Sequence, residues 1–238
     1  MMDKKYLFRI CGSVLFIIGI ALGLLLFGSS TWADLEATFY GFKEMGDERI
    51  NTIDCPILMT TSDVGAIAAT FKNPNDSAIQ FMVRADISGR GQFRSESKMI
   101  SLEPHKSMKV EWRVTSEDVD LGYFIFAQIS NFPAMKIPFR HASCGIVVLK
   151  LPQFTGGQVF TFLMIVILFG ILGGLVILET YGKPLTGKLQ DTTRAMKTLG
   201  VLVLLGLLVS LQGLWMLGVL LFAASILAIG VIVGFMLA

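Results

Sequence analysis

Residues that could perform chemistry are few in this chain and far apart. Neither histidine, His105 or His141, has a cysteine or carboxylate at the spacing of a metal site. A short acidic group is capable of binding a cation, although such a run is more often a solvated loop; it consists of Glu117, Asp118 and Asp120. The chain has no glycine-rich phosphate loop and no nucleophile elbow. We therefore expect no catalytic residue, no cofactor and no metal.

Three long apolar stretches surround one polar middle segment, and none has a charge in its interior. They cover residues 10–27, 159–178 and 199–238. Each reaches about the 18 residues that indicate a membrane-spanning helix. The last stretch would be ~60 Å long as one helix, twice the ~30 Å thickness of the hydrocarbon core, so it must fold back.

The polar break in this stretch consists of Ser210, Gln212 and Gly213, and it predicts four transmembrane helices. The alternative is three helices, with the last one long and tilted or partly re-entrant.

The cations predict the membrane topology. Lys4, Lys5 and Arg9 precede the first stretch, and Lys183, Lys188, Arg194 and Lys197 lie between the second and the third. The positive-inside rule places both groups in the cytoplasm. We thus expect a multi-pass protein of the plasma membrane with both termini inside and residues 29–157 extracytoplasmic. The first stretch exceeds the length of a usual signal-peptide apolar region, so we interpret it as an uncleaved signal-anchor.

The external segment alternates apolar and polar residues, as half-buried strands do. The clearest runs are residues 79–87 and 108–114, and about seven short strands fit between residues 55 and 150. This pattern favours an all-β sandwich. The fold class predicted for the chain is therefore a four-helix membrane bundle with an inserted extracytoplasmic immunoglobulin-like sandwich.

The predicted domains follow from these elements. Residues 1–28 form the tail and first helix, 29–54 a linker, 55–150 the sandwich, 151–180 the second helix, 181–197 a basic cytoplasmic loop, and 198–238 a helical hairpin. Trp32, Phe39, Tyr40 and Phe42 give the linker two interpretations. It is either an interfacial helix on the membrane surface or a connection whose aromatic side chains dock on the sandwich or lie at the headgroups.

Two stretches of the external segment resemble immunoglobulin-like and fibronectin-like modules of bacterial surface proteins. They are FKNPN at residues 71–75 and ISLEPHKSMKVEW at residues 100–112. The resemblance covers residues 60–150 at most. It implies a sandwich fold and a role in adhesion or partner binding, and it transfers no catalytic residues.

Two of the three cysteines lie in the external segment, where the compartment is oxidising. We predict a disulfide between Cys55 and Cys144, which would tie the first strand to the last; the alternative is two free buried thiols. Antibody domains bridge two inner strands, so a bridge between outermost strands would make the likeness to them only architectural. Cys11, in the first apolar stretch, is interpreted as a packing residue.

Glycines in the apolar stretches form small-residue faces, which let helices approach closely in a membrane. The helix-packing residues that we single out are Gly19, Gly23, Gly170, Gly174, Gly230 and Gly234. These faces can pack the four helices together, or they can dock another membrane subunit or a second copy of the chain.

These observations favour a non-catalytic accessory or scaffold subunit of a larger membrane complex. Its expected partners are membrane lipid and other membrane subunits, and the net charge of +2 argues against nucleic acid. One alternative is a pore or junction protein, because the layout is similar to that of claudins. The chain lacks the claudin Trp and closely spaced Cys motif, and its second external loop is shorter. The other alternative is a ligand-binding membrane receptor.

Overall fold

The computed structural model describes residues 4–42, 48–50, 52–132, 138–181 and 188–237. The chain divides into two compact units. A helical unit comprises Met1–Thr31 and Phe160–Ala238, and a β unit comprises Trp32–Val159.

Four helical segments are long and apolar enough to cross a membrane. The first is α1 (Lys4–Phe39). The second consists of α2 (Gly156–Leu168), a π-helical turn (Phe169–Gly173) and α3 (Gly174–Tyr181). The third and fourth are α4 (Lys188–Ser210) and α5 (Trp215–Leu237).

The break predicted inside the last apolar stretch is confirmed. Helix α4 ends at Ser210, whose hydroxyl donates to the Leu207 carbonyl oxygen at 3.0 Å. Gly213 then adopts a φ of +63°, the left-handed conformation that commonly follows a helix and that glycine tolerates without strain. The 40-residue stretch is therefore a helical hairpin.

Two predicted boundaries differ from the observed ones. Helix α1 continues to Phe39 instead of ending at residue 28, so the predicted linker is helical over its first part. No glycine or proline occurs between residues 29 and 39, and the first left-handed residue after them is Gly41, at φ +87°. Helix α4 begins at Lys188, inside the predicted loop.

The β unit contains two sheets. Its strands are β1 (Glu48–Arg49), β2 (Ile53–Asp54), β3 (Leu58–Thr60), β4 (Val64–Lys72), β5 (Ile79–Ile87), β6 (Arg94–Leu102), β7 (Ser107–Thr115), β8 (Phe124–Asn131) and β9 (Arg140–Leu149). One sheet has the order β1-β9-β8-β5-β6, with β3 also paired to β9, and the other has the order β2-β4-β7.

The core of the β unit comes from the alternation read in the sequence. On β7, Val110, Trp112 and Val114 are buried, whereas the residues between them are exposed. They pack in one cluster with the inward residues of β5, β8 and β9, such as Val83 and Ile129. Burying such side chains stabilises the fold by ~1.5–3 kcal/mol each.

Asn73 joins the two stretches that carry the sequence resemblance. Its side chain is fully buried, and its Nδ2 donates to the carbonyl oxygens of Ser77, Leu102 and Glu103 at 2.9, 3.1 and 3.0 Å. Its Oδ1 accepts from the Asn75 N–H at 3.0 Å. The turn after β4 is therefore fixed to the end of β6 by one amide group.

Candidate interaction surfaces

The predicted glycine faces of α1 and of the second helical segment meet inside the helical unit. A Cβ added at Gly19 would lie 2.7 Å from the backbone nitrogen of Ile171, and one added at Gly170 would lie 2.8 Å from the Gly19 Cα. At Gly174 it would lie 2.7 Å from the nitrogen of Phe16. The obstructing atoms belong to the backbone, so these positions require glycine for the two helices to approach this closely.

Gly23 makes a different contact within the same unit. An added Cβ would lie 2.6 Å from a methyl group of Val203, so this glycine packs α1 against α4. The GxxxG motif of α1 is thus shared between two neighbours, with Gly19 facing the second helical segment and Gly23 facing α4.

The remaining motif, Gly230 and Gly234 on α5, packs on no part of the described structure. A Cβ added at either position would meet nothing within 4 Å. Only 11% of the apolar stretch of α5 is buried within the protein, compared with 39% of the apolar stretch of α1. The structure therefore leaves this glycine face open.

The predicted topology residues lie mainly at one end of the helical unit. Phe8 stacks on Tyr181 with a ring-centroid distance of 4.4 Å, and Lys197 pairs with Glu179. The start of α1, the end of α3 and the first turns of α4 thus meet, which brings Lys5, Arg9, Arg194 and Lys197 to the end opposite residues 211–214. The side chains of Lys4 and Lys188 and the whole of Lys183 lie outside the described residues.

The disulfide between Cys55 and Cys144 is present. It does not join outermost strands as predicted, because β9 lies inside its sheet, between β8 on one side and β1 and β3 on the other. Cys55 follows β2 of the other sheet, so the bridge links the two sheets. Cys144 belongs to the core cluster around Trp112, and the partly buried Cys55 packs against it. Cys11 is a free thiol exposed on the surface of α1.

The acidic group of the sequence has structural roles. Asp118 is buried and accepts from the Arg94 guanidinium at 2.7 and 3.2 Å, and it also accepts from the Thr115 N–H at 2.8 Å. The hydrogen bond from Arg94 to Asp118 is the main cause of a raised pKa of the Arg94 guanidinium. Asp120 accepts a hydrogen bond from the hydroxyl of Tyr40.

The two histidines lie apart from any group with metal-binding composition. His105 is exposed and its Nε2 lies 2.9 Å from an oxygen of Asp76, while His141 lies in β9 beside Ser130 of β8. Within the described ranges, no three His, Cys, Asp or Glu residues come together closely enough to hold a metal ion.

One contact within the β unit was missed by sequence reasoning. The last turns of α1 pack on the outer face of β8 and β9, with Ala33 and Ala37 fully buried there. The buried Asp34 accepts from the Gly145 N–H at 3.0 Å, and a Cβ at Gly145 would overlap the Ala33 carbonyl. The signal was present, because a glycine inside a strand often marks the approach of another backbone.

Tyr40 and Phe42 extend this contact. They lie with Phe124 and Phe126 in one aromatic cluster on the same face, with the Tyr40 and Phe126 ring centroids 4.7 Å apart. Two of the four linker aromatic residues thus dock on the sandwich, as the second interpretation expects, whereas Trp32 and Phe39 are exposed.

Comparison with known proteins gives only partial structural likenesses. No protein-family model matches it, and no curated protein sequence matches it. Among solved structures, a Paenibacillus cycloisomaltooligosaccharide glucanotransferase matches at 17% identity and a TM-score of 0.35 over 44% of this chain and 14% of its own. A Pyrococcus furiosus CARDB domain matches at 13% identity and a TM-score of 0.35 over 42% of this chain and 91% of its own. A Bacteroides uniformis β-glucuronidase matches at 11% identity and a TM-score of 0.32 over 40% and 12%.

The chain thus covers only a small part of these two enzymes. All three likenesses are confined to less than half of this chain. Nothing about activity or ligands follows from likenesses of this size.

Proposed function

We propose that this chain is a non-catalytic accessory or scaffold subunit of a larger membrane protein complex. The observation that carries the proposal is the open face of α5 at Gly230 and Gly234, where an added Cβ would meet nothing within 4 Å. Every other glycine of the predicted packing set is in contact inside the helical unit. Small residues spaced by four are typical of surfaces on which a second membrane helix packs.

The proposed topology has four transmembrane helices, both termini in the cytoplasm and residues 29–157 outside the plasma membrane. Two observations support it. Four cations lie at one end of the helical unit, as the positive-inside rule requires of a cytoplasmic end. The Cys55–Cys144 disulfide belongs to the segment proposed to be external, where disulfides persist.

In this proposal the β unit contacts an external partner. Several large apolar side chains are exposed near the junction of β8, the end of β9 and the start of α2. They are Leu121, Tyr123, Leu151 and Phe154. Two hydrogen bonds to backbone carbonyl oxygens hold these loops on the sheet. The Val148 N–H donates to the Tyr123 carbonyl at 2.8 Å, and the Thr60 hydroxyl donates to the Phe154 carbonyl at 2.7 Å. Exposed apolar groups of this kind favour contact with a protein or with lipid headgroups.

Co-purification from the native membrane in mild detergent tests the proposal. We expect other membrane subunits to be recovered with the tagged chain in fixed stoichiometry. The Gly230→Ala and Gly234→Ala double variant should lose these partners several-fold, because two methyl groups separate the helices. Alanine is the better helix former by ~1 kcal/mol per site, so the variant keeps a stable α5.

The matched control adds two methyl groups to other open positions. A Cβ at Gly157 would meet nothing within 4 Å, and one at Gly173 would meet only the Phe169 ring, at 3.9 Å. Gly157→Ala with Gly173→Ala should leave recovery unchanged. Purification of a homo-oligomer alone, or equal loss in both double variants, would contradict the proposal. A homo-oligomer that passes ions when reconstituted alone into liposomes would favour the pore.

A further inference from the structure

A cleft with a volume of about 670 Å³ opens between α1, α4 and α5 within the helical unit. One wall is α1 from Arg9 to Leu24, and the others come from the first turns of α4 and from three residues of α5, with Leu178 of α3 also in the lining. The α5 residues are Ile229, Ile232 and Val233. At ~100° per residue, Ile232 lies ~160° around α5 from both Gly230 and Gly234, Ile229 lies ~100–140° from them, and Val233 lies ~60–100° from them. The cleft is therefore centred on a different side of α5 from the open glycine face.

The cleft is wedge-shaped, because α1 and α5 touch at one end and separate toward the other. Near residues 211–214, Phe27 lies edge-on to Phe222 at 5.7 Å, and a Cβ at Gly218 would lie 2.7 Å from the Thr31 hydroxyl. Toward the cationic end, Val14 and Ile17 of α1 are 48% and 62% exposed although they face the cleft. The apolar space thus opens toward the end that holds the cations.

The lining of the cleft is polar only at that end. Arg9 and Ser13 of α1 and Thr192 and Thr193 of α4 lie there, and the remaining lining side chains are apolar. No acidic residue occurs among the described lining residues. The nearby Glu179 pairs with Lys197. The end of the cleft is therefore a cationic and hydroxyl-bearing site above an apolar slot.

We propose that this cleft binds one phospholipid, with an acyl chain in the slot and the phosphate at Arg9. A guanidinium and hydroxyl groups are strong phosphate donors. From Arg9 to Leu24 the helix rises ~22 Å, which exceeds the ~15 Å of one leaflet's hydrocarbon. A protein helix, ~10–12 Å wide, does not fit a wedge that closes to ring contact. This inference shares with the proposed function only the assumption of membrane insertion, and it requires no protein partner.

Native mass spectrometry of the delipidated full chain in detergent tests the lipid site. The probes are phosphatidylglycerol and phosphatidylcholine, which share the phosphate and differ in net charge. We expect one lipid per chain to be retained preferentially, with phosphatidylglycerol bound more tightly. Arg9→Gln should weaken binding about tenfold. Arg194→Gln removes an exposed cation that does not line the cleft, and it should leave binding within twofold.

A second variant fills the apolar slot. Ala21→Trp places a large ring in the cleft and should abolish the retained lipid, whereas Ile165→Trp, at a 61% exposed position of α2 outside it, should not. Equal lipid retention in Ala21→Trp and Ile165→Trp, or equal affinities for Arg9→Gln and Arg194→Gln, would overturn the proposal. Lipid retention does not depend on whether membrane partners co-purify with the chain. Each of the two proposals can therefore be refuted without refuting the other.

Discussion

Gly145→Ala should separate the end of α1 from the sheet on which it packs. The new Cβ would overlap the carbonyl of Ala33 and lie 2.7 Å from the Ala33 Cβ, whereas ordinary contacts begin at 3.4 Å. The nearest atom, the Ala33 carbonyl oxygen, would lie only 2.1 Å from the new Cβ, so helix and strand must move apart by about 1.3 Å. Neither can do so cheaply, because the obstructing atoms are backbone and β9 is paired on both sides.

The expected cost combines two effects. Overpacking costs ~1–3 kcal/mol, and disturbing the hydrogen bond from the Gly145 N–H to the Asp34 carboxylate costs ~1.5–3 kcal/mol. Together they lower the free energy of unfolding by ~2.5–6 kcal/mol. At ~4 °C per kcal/mol for a unit of this size, the Tm falls by ~10–24 °C.

Thermal unfolding of the full chain in detergent measures this effect, with tryptophan fluorescence, to which the buried Trp112 contributes, as the probe. The matched variant is Gly65→Ala, whose Cβ would meet mainly the flexible end of Met59, with its sulfur at 2.7 Å. That side chain can move, so we expect a loss below ~1.5 kcal/mol. If the two variants melt at the same temperature, the account of Gly145 as a required close contact is wrong.

Three further predictions concern the β unit. Replacing Cys55 and Cys144 by alanine should lower the unfolding free energy of the β unit by ~4–5 kcal/mol, because the bridge closes a loop with a sequence separation of 89. Chemical denaturation without reductant measures this loss, and adding reductant should destabilise only the wild type. Asn73→Ala leaves three carbonyl oxygens without their amide donor, so we expect a loss of ~2–4 kcal/mol in the same assay, and a loss below 1 kcal/mol would refute this role. Burial, together with the hydrogen bond to Asp120, raises the pKa of Tyr40 above its usual ~10. The stability that protonated Tyr40 contributes to the fold is fully present below pH ~10 and is lost as the pH rises through the folded-state pKa. Above pH ~10 the free energy of unfolding should therefore fall more steeply in the wild type than in Tyr40→Phe.

The elements of this chain were largely predictable, because local patterns encode them. The alternation over residues 79–87 predicts β5 with its observed bounds, and the polar break at Ser210 predicts the hairpin of α4 and α5. The pairing of Cys55 with Cys144 followed from the few cysteines available. The end of α1 was misplaced because apolar length marks a membrane span, whereas a helix continues until a residue such as Gly41 ends it.

The sequence by itself determined the number of long apolar helices, the two-sheet β region and the position of the cations, since these depend on composition and period along the chain. Only the tertiary structure decided which glycines are in contact. Gly19 and Gly230 each begin a GxxxG motif. A Cβ added at Gly19 would meet backbone atoms of a neighbouring helix, whereas one added at Gly230 would meet nothing within 4 Å. The cleft at Arg9 and the contact of Ala33 with Gly145 arise in the same way. Each depends on which surfaces meet across many residues, and spacing along a single segment does not encode that.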